Sequence, residues 1–194
     1  IVWRIIPEAS TRTAELIAGN ADIITNVVPE QVDAINESGR AEVQIVSGTR
    51  RMYLGYNLSE EHAALPGGDA IQDPDVRRAL QYAVDVSTIC LQLLGVECER
   101  ATGLVNIQNA NPDLTPYSYD PQLAERLLDE AGWPRDDEGI RFAIRMQAGQ
   151  GRYVNDVNVV LAIAQYLEDV GLDIELELME WASVYTPLLR ERSM

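Results

Sequence analysis

Apolar positions along the chain switch repeatedly between a period of two and a period near 3.6. Such alternation of strand-like and helix-like stretches predicts a layered α/β or α+β domain. Residues 2–6 form a short β-rich run, and residues 22–27, 43–46 and 52–58 read as further strands. Ser10 precedes a helical stripe of Ala14, Leu16 and Ile17 that Gly19 stops. Pro29 opens a second stripe of Val32 and Ile35, ended by Gly39. Residues 59–72 are polar and carry Leu65-Pro66-Gly67-Gly68, which predicts a loop. Asp73-Pro74 then caps a helix with Val76, Ala79, Leu80, Ala83 and Val84 on one face. Another helix spans 87–94 and stops at Gly95, and residues 100–119 show no sustained period and read as a long ordered loop. Asp120-Pro121 repeats the cap-and-proline start, with Ala124, Leu127, Leu128 and Ala131 facing inward and Gly132 as the stop. Phe142, Ile144 and Met146 alternate as a strand. Residues 155–170 make the longest helix, striped by Val159, Val160, Ile163 and Leu167. Ile174, Leu176 and Leu178 alternate with Asp173, Glu175 and Glu177, a strand with one wet face. Residues 181–192 begin a last helix.

Composition narrows the function classes. The chain has 194 residues, 46% hydrophobic and 24% charged, which is ordinary globular usage. Its 15 basic residues are all Arg, and against 31 acidic residues they give a net charge of −16. So acidic a chain lacks the clustered cations that nucleic acid and anionic membranes require, so no nucleic-acid partner is expected. No apolar run is long enough to span a bilayer. Residue 1 opens mid-element on Ile-Val-Trp, which reads as a segment of a longer chain.

Candidate chemistry is sparse. His62 is the one histidine and lies in a polar stretch, where a solvated role is the commoner one. No phosphate-cradling glycine loop, nucleophile elbow or metal-ligand spacing is present, so neither a cofactor, a metal nor a catalytic group is expected. Cys90 and Cys98 fit two unconnected thiols or a disulfide that staples a helix end to the next loop; their Cα separation decides. Binding has better candidates. Trp181 stands where a strand meets a helix and offers a flat apolar face with one N–H, although a core anchor has the same signature. Gly149-Gln150-Gly151-Arg152-Tyr153 is a polar loop whose glycines let backbone approach a ligand. Arg152 there suits a carboxylate held by two hydrogen bonds. Asn57, near the end of a strand, suits ligand contact or a turn.

Several segments form one ordered series. It begins with Pro7-Glu8, Thr11-Arg12, Ala14-Glu15-Leu16, Ala18-Gly19 and Asp22-Ile23. Val28-Pro29-Glu30-Gln31, then Arg51-x-Tyr53-Leu54-x-Tyr56-Asn57, follow in order. Asp75-Val76-Arg77-Arg78-Ala79-Leu80, Tyr82-Ala83-Val84-Asp85 and Tyr117-x-Tyr119-Asp120-Pro121 continue it. Gly151-Arg152-Tyr153-x-Asn155-Asp156 and Val170-Gly171-Leu172 complete it. In this order the segments resemble the family 5 extracellular solute-binding proteins, the oligopeptide, dipeptide and nickel receptors of ABC importers.

The resemblance implies an α/β, periplasmic-binding-protein-like (type II) lobe, a mixed sheet flanked by helices. It implies residues 1–48 as the closing segment of a first lobe and 49–194 as most of a second, with the crossing near Ser47-Gly48-Thr49. Arg152, Tyr153 and Trp181 map to positions that touch the ligand, and a further Gly-Trp strand and an Asp are expected beyond Met194. The implied protein is an extracytoplasmic monomer, periplasmic or membrane-anchored. It would capture a peptide-like solute between two lobes and deliver it to an ABC permease. The segment alone is expected to fold and to bind solute weakly or not at all. The competing expectations are an acidic α/β protein-interaction module and a hydrolase using a carboxylate pair.

Overall fold

Two aspartates start the helices that build the core. In a computed structural model describing residues 1–46, 48, 50–98, 100–105 and 109–191, the Asp73 carboxylate accepts from the Asp75 N–H at 2.8 Å. Pro74 follows at the first helical position, where its missing N–H costs nothing. Asp120 does the same for Leu123 at 2.9 Å, again with a proline next. The helices they open are α5 (Pro74–Ala83) and α7 (Pro121–Glu130), which pack against each other. Val76, Ala79, Leu80, Ala83, Ala124 and Leu128 are all buried between them and the sheet.

The sheet is a parallel pair, β1 (Phe142–Gln150) and β2 (Leu172–Glu180), in register from Phe142 opposite Leu172 to Gln150 opposite Glu180. Parallel strands need a crossover, and α8 (Asp156–Asp169) supplies it while covering the sheet. The expected wet face of β2 is present: Asp173, Glu175 and Glu177 are exposed, while Leu172 is buried. At the leading end of both strands, Arg141 is almost wholly enclosed and donates to the carbonyls of Val170 at 2.8 Å and Trp133 at 2.6 Å. Arg135 bonds the Gly139 and Asp169 carbonyls, each at 2.7 Å, and pairs with Glu125. Trp133 meets Phe142 edge-on there.

The earlier part of the chain has α1 (Ala9–Ile17), a 3₁₀ turn at Pro29–Gln31 and α2 (Val32–Glu37). Glu8 caps α1, accepting from the N–H groups of Ser10 and Thr11. Arg12 ties this region together through the carbonyls of Ile6, Pro7 and Asn26.

Four expected strands are not formed. Residues 2–6, 22–27, 43–46 and 52–58 join no ladder among the described residues. Many of their apolar side chains, Val2, Trp3, Ile5, Ile23, Ile45 and Val46 among them, are exposed, while Tyr56 is half-buried against the core. β propensity records a fit to a pleated neighbour, and among the described residues no strand pairs with them. The expected loop at 59–72 instead contains α3 (Glu60–Ala63) and α4 (Gly68–Gln72). Gly67 joins them with φ of 70°, and a Cβ there would collide with the Ala143 carbonyl, so the glycines read as loop punctuation serve a tight crossing. The helix expected over 87–94 is α6 (Val86–Ile89), widened into a π turn at Cys90–Leu94. Cys90 is buried and bonded to Cys98, with Cα atoms 5.7 Å apart, so of the two readings the staple is the one formed. The last helix is a π turn at Trp181–Tyr185 followed by α9 (Thr186–Glu191). Ser47 and Thr49 of the expected crossing, and Arg192 of the last helix, lie outside the described residues.

Candidate functional site

Because β1 and β2 run parallel, both end on the same side of the molecule, where the loops to α8 and to the last π turn emerge. Carboxyl ends of parallel strands are where α/β proteins hold ligands. Trp181 follows the last residue of β2 directly. The Glu180 carboxylate accepts from the Ser183 N–H and hydroxyl, which closes the wide turn beneath the indole. Those Ser183 bonds hold the Glu180 carboxyl below the usual range. The Thr186 hydroxyl donates to the Trp181 carbonyl at 2.7 Å and fixes the turn from its far side. π turns of this kind recur at functional sites because they redirect one side chain.

The turn carries Tyr185 back over Trp181, stacked at 5.3 Å between centroids. Tyr153 meets the other part of the indole edge-on at 5.4 Å. Gly149, near the end of β1, makes room: a Cβ there would lie 2.5 Å from the Trp181 ring and 3.0 Å from Tyr185. Burial pushes the Tyr185 phenol up, as do Tyr53 and Tyr153 nearby, so it stays neutral.

The loop carrying Arg152 and Tyr153 is held from below. Asp156, buried at the start of α8, accepts from the backbone N–H groups of Arg152 at 2.8 Å and Tyr153 at 2.9 Å. Asn155 sits at φ of 56° and donates to the Leu93 carbonyl at 2.7 Å, anchoring the loop to the helix layer. Arg152 is exposed, with its guanidinium 5.8 Å from the Tyr153 ring centre. Arg50 lies over the same ring at 5.1 Å.

Three of the four expected residues, Arg152, Tyr153 and Trp181, are therefore drawn into one group. Asn57 is exposed and heads the turn into α3, its Oδ1 accepting from the Ser59 N–H at 3.1 Å. Sequence reasoning passed over Tyr185, Arg50 and the supporting Asp156. Tyr185 was hidden because residues 181–192 read simply as the start of a last helix. Arg50 was hidden because only a long-range contact brings it in. His62, expected in a loop, is in α3 with Nδ1 2.8 Å from the Ser59 hydroxyl. Among the described residues there is no cluster of metal-ligating side chains and no helix long and apolar enough to cross a membrane. The group offers an aromatic wall edged by two guanidiniums, flat apolar faces beside cationic donors.

The model of the bacterial extracellular solute-binding proteins, family 5 Middle, matches residues 1–193. The chain belongs to this family. The oligopeptide-binding protein AppA of Bacillus subtilis is 23% identical over 95% of this chain and 34% of its own length. Its structure in complex with a nonapeptide superposes with a TM-score of 0.71 at 24% identity, over 94% of this chain and 36% of that one. Heme-binding protein A of Haemophilus influenzae is 31% identical over 71% of this chain and 24% of its own. NikA of Brucella suis, solved with Fe(III)-EDTA, has a TM-score of 0.69 and 28% identity, over 96% of this chain and 38% of that one. This family 5 chain thus spans about a quarter to two-fifths of the length of these relatives. The α/β fold is the periplasmic-binding-protein one that the sequence led us to expect. The relatives are binding proteins.

Proposed function

We propose that the protein carrying this chain is the extracytoplasmic solute receptor of an ABC importer, that it acts as a monomer and that it is not an enzyme. It captures a peptide-like solute between two lobes and hands it to a membrane permease whose partner ATPases supply the energy. The observation that carries this reading is the match of the family model to residues 1–193. The aromatic group at the carboxyl end of the parallel pair agrees with it. In this reading residues 1–48 belong to the first lobe and residues 49–194 to the second. Trp181 and Tyr153 form one wall of the cleft, Arg152 holds a solute carboxylate, and Asn57 lies near the crossing between lobes. A solute that touches both lobes only when they close draws the population toward the closed form. AppA is an oligopeptide-binding protein, which makes peptides the first solutes to try.

The test is mass spectrometry of small molecules released from the gently purified full-length protein, followed by calorimetry with the solute found. A stoichiometric peptide-range mass supports the reading. Trp181→Ala should then weaken binding by about ten-fold or more, as for a buried aromatic anchor. Undiminished binding in that variant removes Trp181 from the site, and a protein that neither carries nor binds any solute overturns the importer reading.

A further inference from the structure

The loop between β1 and α8 is held at two points that differ in kind. Asp156 binds it from within, four and three residues from the amides it accepts. Asn155 ties it to a distant element: its side-chain amide donates to the Leu93 carbonyl at 2.7 Å, across 62 residues of sequence. Its Oδ1 accepts from the Asn158 side-chain amide at 2.6 Å. With φ of 56°, Asn155 stands in the left-handed region, which asparagine tolerates better than most residues. Glycine would meet that backbone demand more easily but has no side-chain amide to offer.

Leu93 belongs to the π turn at Cys90–Leu94. Carbonyls in the last turn of a helix have no partner within their own helix, so this one is open to an outside donor. The chain leaves the turn at Gly95, with φ of 67°. The turn is closed twice around Cys90. The Cys90 carbonyl accepts from the N–H of Gly95 and, at 3.4 Å, from that of Val96. The Cys90 side chain, buried, is bonded to exposed Cys98. Leu93 and Leu94 pack against the core beside it. A staple across a rare, widened turn fixes the direction of the carbonyl that Asn155 uses. A continuous line of bonds and contacts thus runs from the disulfide through the Leu93 carbonyl and Asn155 to Tyr153 and Trp181.

We propose that Asn155 is a positioning residue for the solute site, and that the Cys90–Cys98 staple acts on that site through it. This rests on the reading of Tyr153 and Trp181 as a wall for solute. Asp156 gives the loop its shape, and Asn155 keeps the loop seated on the helix layer. With the Leu93 bond lost, the loop leaves its seat more often and Tyr153 goes with it. Opening the disulfide lets the π turn relax and move the Leu93 carbonyl, which has the same effect from the other end.

The experiment is amide hydrogen exchange on the full-length protein, read at Arg152 and Tyr153, whose amides are released when the loop opens. Asn155→Asp keeps the acceptor for Asn158 and loses the donor to Leu93. It should speed exchange at both amides by about five-fold, the worth of one ordinary hydrogen bond. Asn155→Gly keeps the backbone conformation and should do the same. The paired Cys90→Ser, Cys98→Ser variant should also speed both. Combined with Asn155→Asp it should add nothing further, because the two changes break one line of contacts. Independent effects that multiply would mean general loosening and overturn the proposal, as would unchanged exchange in the paired variant or full protection in Asn155→Gly. Should the paired variant fail to fold, Cys90→Ala with Cys98→Ser, which puts no hydroxyl in the core, takes its place. Saturating trialanine should slow exchange at the same two amides, because solute seats against the closed loop. Trialanine that binds without slowing them would remove the loop from the solute wall and overturn the role at that site. The variant comparison needs no solute and decides the coupling by itself.

Discussion

Asp156 shows how one side chain can set a site it does not belong to. Its carboxylate holds the backbone of Arg152 and Tyr153, and Tyr153 in turn braces Trp181. Asp156→Ala leaves two amide groups without their acceptor and should cost about 2 kcal/mol of stability. It should also weaken solute binding, and Asp156→Asn, which keeps an oxygen, should recover part of both; chemical denaturation with calorimetry reads the two effects. Glu8 makes a prediction of another kind. The Ser10 hydroxyl, with the Thr11 and Ser10 amides, lowers its pKa from the ordinary 4.5 to about 2. A group whose folded pKa is depressed adds stability above its unfolded pKa and loses it as pH falls toward the folded one. The cap of α1 should therefore hold above about pH 4.5 and weaken progressively down to about pH 2. Carboxyl NMR of Glu8 against pH checks this, and a midpoint near 4.5 would contradict it. Glu8 was not read as a cap because Ser10, two residues on, has the commoner capping side chain.

Helices were legible where a side chain and a proline together fix the first turn, as at Asp73-Pro74 and Asp120-Pro121. The alternation of β2 was legible too, since one wet face makes the period visible in charge. Residues 2–6 and 52–58 carry the same apolar richness and form no strand, because pairing is decided by what lies alongside and not by the segment itself. The widened turns at Cys90 and Trp181 were invisible for a related reason: π and α hydrogen bonding use the same residues and differ by one register step. Tyr185 was missed through that step. At this scale the Cys90–Cys98 link is the element to test. It closes a loop of eight residues' separation, and the chain-entropy argument assigns such a loop about 2–3 kcal/mol. The paired Cys90→Ser, Cys98→Ser variant should lose that much in a urea titration and melt several degrees lower. Unchanged stability would mean that the link is not formed in solution.

For the whole molecule, the buried core runs from Ala70 to Leu172, while Leu16 and Ile35 are buried apart from it. The exposed apolar side chains of residues 1–5 and 45–46 lie outside that core. A two-lobed receptor predicts that solute draws the full-length protein into a smaller shape. X-ray scattering should show a reduced radius of gyration with saturating solute, and no reduction in Trp181→Ala at the same concentration. An unchanged radius in the unaltered protein would argue against closure. The function class was legible because many short segments occur in the family's order, each weak alone. The solute was not, because the wall that selects it is assembled from Tyr153, Trp181 and Tyr185, three aromatics whose meeting depends on the fold.

The matched strands have one more effect. Phe142 and Leu172 start level, and Gln150 and Glu180 finish level, so β1 and β2 act as two rulers of equal length. Each residue of strand advances about 3.3 Å and turns the next side chain to the opposite face. A single deletion inside β2 would pull Trp181 back by that distance and point it away from Gly149, whereas the same deletion in the turn after α7 would move nothing at the wall. Among descendants of this sequence, gains and losses of residues should accumulate in the turns and leave both rulers uncut.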